Sequence, residues 1–195
     1  MTLVIVDPYA TGVLVEEVHH RLVADIEHIA EDAAIQPHWI WTPLNEVAGD
    51  SVVSWVKGFR KHHMSGVTGL VLYGPKPQKA LAHMSAIAGA LLRNFIHAQV
   101  MTSAQVYDRL KNGDPPNPTC LLIPNFFLGE SHGIKLAHWE IAAIQDLLME
   151  RHLRGASTVV YATNLDAMAS EYGSAVSQLI MSHYTKAKIV EGTDA

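Results

Sequence analysis

From Gly69 onward the chain alternates short, unbroken apolar runs with longer amphipathic stretches, and this alternation constrains the fold most. Gly69–Tyr73 reads GLVLY, Ala98–Met101 AQVM, Thr119–Phe126 TCLLIPNF and Ser157–Ala162 STVVYA. A strand apolar at nearly every position has no face to turn to water, so it is buried on both sides. Such strands need helices on both faces, and segments 78–96, 103–111, 135–154 and 167–184 are placed to supply them. A last strand is expected at 187–190. The expected fold class is α/β: a parallel sheet flanked by helices. In such sheets ligands sit beyond the carboxyl ends of the strands, so the residues just after each strand form the candidate site.

Ahead of this alternation, Val15, Val18, Leu22, Ile26 and Ile29 recur at three- and four-residue steps and predict one helix over 13–34. Pro37 and Pro43 mark a loop. A second helix is expected from Asp50 or Ser51 to about His63, with Val52, Val53, Val56 and Phe59 inward and Gly66 as its stop. The expected division is an N-terminal helical segment, 1–45, and an α/β domain, 46–195.

Composition narrows the function classes. With 195 residues and 49% hydrophobic content the chain is long and apolar enough for a sizeable core, not for a disordered tail. Cys120, the single cysteine, excludes a disulfide framework and a multi-thiolate zinc site. No run approaches the ~18 apolar residues of a membrane span. The start MTLVIVDPYA lacks a basic region and a long apolar stretch, so no leader, no membrane contact and a cytoplasmic location are expected. The net charge of −5 speaks against a broad electrostatic grip on nucleic acid. Any DNA contact is expected to be weak or indirect.

The strand ends carry the informative residues. After the first strand comes Gly74-Pro75-Lys76-Pro77-Gln78-Lys79-Ala80. A nucleotide phosphate loop reads G-x-x-x-x-G-K-[ST] between a strand and a helix, its glycines freeing backbone N–H groups to wrap the phosphates. Here the strand, the turn and the lysine at a helix start are in place. The loop is one residue short, Gln78 stands for the second glycine, and Ala80 for the hydroxyl residue. Pro75 and Pro77 each remove an N–H donor. Lys79 either meets a phosphate as a point charge at a helix N-terminus or is an exposed lysine of an ordinary strand–turn–helix junction. Pro124 and Asn125 follow the third strand. Thr163 and Asn164 follow the fourth, where Asn164 either orients a phosphate oxygen or water, or caps the next helix.

Taken together, four stretches resemble the helicase-loader and transposition-helper AAA+ ATPases, the DnaC, DnaI and IstB kind. Gly69-Leu-Val-Leu-Tyr-Gly-Pro75 is similar to the strand entering the Walker A loop. Val100-Met-Thr-Ser-Ala-Gln-Val-Tyr-Asp-Arg-Leu110 is similar to the second strand and its helix. Cys120-Leu-Leu-Ile-Pro-Asn-Phe126 is similar to the Walker B strand, and Glu150 to Leu165 to the block that carries the sensor-1 asparagine. The segment Tyr172 to Leu179 resembles the one that usually ends in Ser-Arg-Leu. The likeness spans about 53–190. It implies a P-loop NTPase fold of the AAA+ kind, with little or no C-terminal lid. It implies that Gly74, Lys76, Lys79, Ala80, Asn125 and Asn164 line a vestigial nucleotide site, with Lys79 as the Walker A lysine and Asn164 as the sensor-1 asparagine.

The departures fall on the chemistry. Ala80 replaces the Mg²⁺-binding hydroxyl, Pro124 and Asn125 replace the Walker B acids, and Gln178 replaces the arginine of the Ser-Arg-Leu segment. Losing a metal ligand set, a water-positioning acid and a trans-acting arginine removes the main sources of transition-state stabilisation in this mechanism; the arginine alone is worth ~10³ or more. The resemblance therefore implies a pseudo-ATPase that binds ATP or ADP without hydrolysis, or no nucleotide at all, and has no catalytic residue. It implies a replication factor of phage, mobile-element or host origin that contacts a replicative DnaB-type helicase or another replication protein, with self-association among its properties. The alternatives are a scaffold or inhibitor that mimics a loader subunit, and a transposition helper with residual nucleotide binding through Lys76 or Lys79.

Other constellations are weaker. The pairs His19-His20 and His62-His63 point about 100° apart on a helix and cannot chelate one ion well. His132 and His138 have no carboxylate at ligand spacing, so no metal site is expected. Cys120 lies inside a buried strand and reads as an inert thiol. No G-x-S-x-G elbow is present. Lys57, Arg60, Lys61, His62 and His63 form a solvated helix face, or a modest contact for DNA or an acidic partner.

Overall fold

The computed structural model describes residues 7–129 and 136–189. The chain forms α1 (Glu16–Ala24), α2 (Ile26–Asp32), two short 3₁₀ turns (Pro37–Ile40 and Leu44–Glu46) and α3 (Asp50–Ser65). Alternating elements follow: β1 (Gly69–Tyr73), α4 (Pro77–Leu92), β2 (Ala98–Val100), α5 (Ser103–Lys111), β3 (Cys120–Phe127), α6 (His138–Leu153), β4 (Ser157–Ala162), α7 (Leu165–His183) and β5 (Tyr184–Lys188). The strands make one sheet in the order β2-β3-β4-β1-β5, and every pair is parallel. β1 lies between β4 and β5, with Gly69 opposite Thr158 and Tyr184. Such a register puts the carboxyl ends of β1 and β4 side by side.

Both faces of the sheet are covered, as continuous apolar strands require. On one face Leu70, Leu72, Leu122 and Val159 meet Trp55 of α3 and Met84, Ile87 and Leu91 of α4. On the other, Val71, Leu121, Ile123 and Val160 meet Val106, Ile144, Leu148 and Ile180 from α5, α6 and α7. A third cluster joins Leu22, Ile26, Ala30 and Ile40 to Leu92 at the end of α4. The N-terminal helices thus dock on the helix that leads from the candidate phosphate loop.

Several expectations are corrected. The single helix over 13–34 is two helices broken at Asp25 (φ −108°, ψ 17°). α1 turns His19 and Leu22 inward, so Val15 and Val18 are 48% and 54% exposed. The last strand begins at Tyr184, directly after α7, and not at 187. It is an edge strand whose Lys186 and Lys188 are exposed, so the continuous apolar signal is missing there. Trp139 on α6 is 49% exposed and packs edge-on against Tyr107. α7 is interrupted at Gly173 (φ +82°), a left-handed position that glycine tolerates. The predicted helix start at Lys135, the residue His132, the last-strand end at Val190, and the two chain ends on which the leader and lid expectations bear lie outside the described residues. Among the described residues no helix is long and apolar enough to cross a membrane, and no group of three His, Cys, Asp or Glu side chains is placed to hold a metal ion.

Candidate functional site

Three residues, Gly74-Pro75-Lys76, connect β1 to α4. Gly74 has φ +145°, and a Cβ there would lie 3.2 Å from the Ile189 carbonyl oxygen, so glycine lets the turn pass under the chain that leaves β5. Its N–H donates to Ala162 O at 3.2 Å, and its carbonyl accepts from the buried Tyr161 hydroxyl. Both bonds tie the turn to β4.

A phosphate nest works through converging N–H groups. In this turn Pro75 and Pro77 have none. The Gly74 N–H is bonded to Ala162, and the Lys79 N–H to Lys76 O at 3.1 Å. Four of the donors such a loop would aim at phosphates are therefore absent or spent. α4 begins without a side-chain cap, so the positive end of its dipole is uncompensated locally. Lys76 and Lys79, both half-buried, add charge at the same end. Ala80 is fully buried in the core under α4, in a cluster with Leu72 and Met84. One turn on, His83 Nδ1 donates to Lys79 O at 2.8 Å. Burial holds the His83 imidazole below its ordinary value, with the Lys79 charge adding to the effect.

The third strand is built differently from its neighbours. Ile123 pairs with Val160 but Phe127 pairs with Ala162, so four residues of β3 span two of β4. Pro124 explains the bulge: it has no N–H for the ladder and sits in a central strand, where proline is accommodated by bulging. The bulge turns Asn125 toward α5. Its Oδ1 accepts from Ser103 N at 2.8 Å and its carbonyl accepts from Ser103 Oγ at 2.9 Å. Thr102 completes the start of α5 with a capping box to Gln105. The Asn125 amide oxygen is therefore committed to a helix N-terminus. Asn164 is likewise a cap: its Oδ1 accepts from Asp166 N and Ala167 N, each at 2.9 Å, at the start of α7.

Of the residues singled out, the structure brings Gly74 and the Ala162–Asn164 turn together at adjacent strand ends, with Lys76 and Lys79 on the helix beyond. Ala80 faces the core and Asn125 faces α5. Gln178 is exposed on α7. Sequence reasoning missed Tyr161 and Ser103, which fix the turn and the bulge. Neither carries a motif, because each acts through one hydrogen bond to a distant segment. Cys120 is buried, and burial pushes its thiol up to about 12, consistent with an inert packed group.

This sheet order, wholly parallel strands and helices on both faces make the fold that of an AAA+-type P-loop NTPase. Two solved structures share it. The first, "Crystal structure of the DnaC helicase loader", is 16% identical with a TM-score of 0.57, and the match covers 72% of this chain and 86% of that one. The second, "Replication initiator DnaA bound to AMPPCP and single-stranded DNA", is 8% identical with a TM-score of 0.52, and covers 75% of this chain and 50% of that one. At these identities the likeness is one of fold. No protein-family model matches the sequence, and no curated protein sequence matches it.

Proposed function

We propose that the chain is a helicase-loader-like DNA replication factor that acts through protein contacts, with ATP hydrolysis lost or vestigial. The carrying observation is the junction after β1, where four N–H groups are removed by Pro75 and Pro77 or bonded to Ala162 and Lys76, in a fold whose solved neighbours are a helicase loader and a replication initiator. Gly74, Lys76, Lys79, Ala80, Asn125 and Asn164 are the positions of a vestigial nucleotide site, of which the two lysines keep their charge. Residues 1–45 act as the partner-binding segment and 46–195 as the domain that carries it. Its partner is a replicative DnaB-type helicase or another replication protein in the cytoplasm, and its contact with DNA is weak or indirect.

The test is twofold. Immobilised full-length chain retains a replicative helicase from a purified mixture, and turnover of radiolabelled ATP stays at the level of a Lys79→Ala variant. Turnover well above that variant ends the pseudo-ATPase reading; failure to retain any replicative helicase ends the loader reading.

A further inference from the structure

A groove lies away from the strand carboxyl ends, beside the residues that lead into β2. It has a volume of about 420 Å³ and runs between α1–α2 and the end of α4. Leu22, Ile29, Leu92 and Phe95 form its apolar floor, and Arg21, Asp25, His28, Asp32 and His97 line its rim, with His97 Nε2 3.2 Å from Asp32 Oδ2. Phe95 is 63% exposed and held at φ +58°. A left-handed backbone is costly for a bulky residue at a helix end, where glycine or asparagine is usual. His19 stacks on the ring at 5.7 Å, and its Nε2 bonds the Arg93 carbonyl at 2.9 Å, so the exposed ring is fixed in place. Val18 adds exposed apolar surface on α1.

The net charge of the two helices that wall this groove points to its occupant. Glu16, Glu17, Asp25, Glu27, Glu31 and Asp32 lie on α1, α2 and the break between them, against Arg21 alone. With histidines neutral, these seventeen residues carry as much net charge as the whole chain, −5. The rest of the molecule is neutral in sum. A fixed apolar floor walled by helices of strongly negative net charge complements a helix with an apolar stripe and lysine or arginine on its flanks.

We propose that this groove docks a basic amphipathic helix of a partner protein. An apolar side chain of that helix sits against Phe95, Leu92 and Ile29, and a flanking cation pairs with Asp25, Asp32 being already engaged by His97. The inference deepens the proposed partner contact, and rests on that reading only for the identity of the partner as a replication protein.

The experiment uses the full chain and two fluorescein-labelled helical peptides with the same leucine stripe, one with lysine and one with glutamate at every flanking position. Fluorescence anisotropy is expected to show the lysine peptide binding at least tenfold more tightly, with the preference shrinking as salt rises. Asp25→Lys should abolish the preference. Phe95→Asn, which keeps a residue tolerant of the left-handed backbone, should weaken binding about tenfold while the circular dichroism spectrum and melting temperature hold. Equal binding of the two peptides, binding of neither, or a preference that survives Asp25→Lys overturns the proposal. Helicase retention is scored separately. A chain that prefers the lysine peptide but retains no helicase keeps the groove and loses the loader reading. A chain that retains helicase but binds neither peptide loses the groove alone.

Discussion

Arg151 is the residue on which the amino edge of the sheet depends. It is fully buried, yet its four hydrogen bonds all end on neutral oxygens: Thr158 Oγ1 at 2.9 Å, Pro116 O at 3.3 Å, Pro118 O at 3.1 Å and Ser157 O at 2.6 Å. Burial pulls its pKa down, but the guanidinium stays charged because arginine starts so high. The side chain stitches the proline-rich 112–118 loop to the start of β4, and no other group there has a fork of five donors. Arg151→Met removes the donors and strands the carbonyls. A loss of about 3 kcal/mol is expected, read as a lower urea midpoint at unchanged slope. A midpoint within experimental error of the parent chain would show that water replaces the fork at no cost. The sequence holds no sign of this role. A lone arginine in a helix ending MERHLR reads as surface, because four neutral oxygens from two separate segments leave no pattern. Asn164, by contrast, is legible as a cap because the N–H groups that it accepts from are two and three residues ahead.

At the scale of elements, glycine decides how the N-terminal helices sit. A Cβ on Gly89 would lie 2.1 Å from Trp39 O and 3.0 Å from Ile40 N, so the 3₁₀ turn Pro37–Ile40 rests directly on the backbone of α4. Arg93 holds the same turn by donating to Ile40 O and Thr42 O. In an isolated helix Gly→Ala is favourable by about 1 kcal/mol. In this chain Gly89→Ala is expected to be unfavourable by about 2 kcal/mol net, because the clash is with backbone and not with a flexible side chain. Hydrogen exchange should quicken first in α1 and α2 and much less in β1 and β4. Uniform quickening, or a more stable protein, would mean that the turn moves aside freely. The strands β1 and β4 were legible to the residue, since each is an apolar run between clear breakers, Gly69 to Gly74 and Gly155 to Asn164. The break at Asp25 was not. It falls within an apolar stripe that runs on through Leu22, Ile26 and Ile29, and periodicity is blind to a change of axis. The bulge in β3 could be suspected from Pro124, but the four-against-two register is set by its neighbours.

The whole molecule is closed at the amino edge of the sheet by a histidine pair. His152, near the end of α6, and His183, the last residue of α7, have ring centroids 4.1 Å apart. His152 shares a hydrogen bond of 2.8 Å with Thr68 Oγ1, and His183 donates to Gly66 O at 3.1 Å, so the pair joins both helices to the α3–β1 connection. Partial burial, and then the neighbouring His183, hold the His152 pKa below 6.5. The folded state therefore favours the neutral ring, while the unfolded chain takes up a proton near 6.5. Stability from this group is present above that value and is lost as pH falls through it toward the lower folded value. The melting temperature should fall as pH drops below about 6.5, and His152→Gln should flatten that part of the profile. An unchanged slope in the variant assigns the acid sensitivity elsewhere.

The nucleotide question is also one for the whole molecule, because any ligand that binds the folded chain stabilises all of it. At a ligand concentration equal to Kd the gain is RT ln 2, about 0.4 kcal/mol. For a chain of this size that is roughly 1 °C in melting temperature. With Gly74 and Lys79 N–H groups bonded within the protein and Pro75 and Pro77 lacking theirs, a shift no larger than this is expected at ~1 mM ATP with Mg²⁺. If missing donors are the cause, returning them should change the result. Pro75→Gly together with Pro77→Gly restores two N–H groups beside Lys76 and Lys79 without touching either charge. The nucleotide-induced shift should then rise above that of the parent chain, and Lys79→Ala in the same background should cancel the rise. A large shift in the parent chain would mean that the lysines and the helix end suffice without a nest. No rise in the double variant would place the block in the bonds that Ala162 and Tyr161 make to Gly74, which hold the turn closed whatever residues follow it.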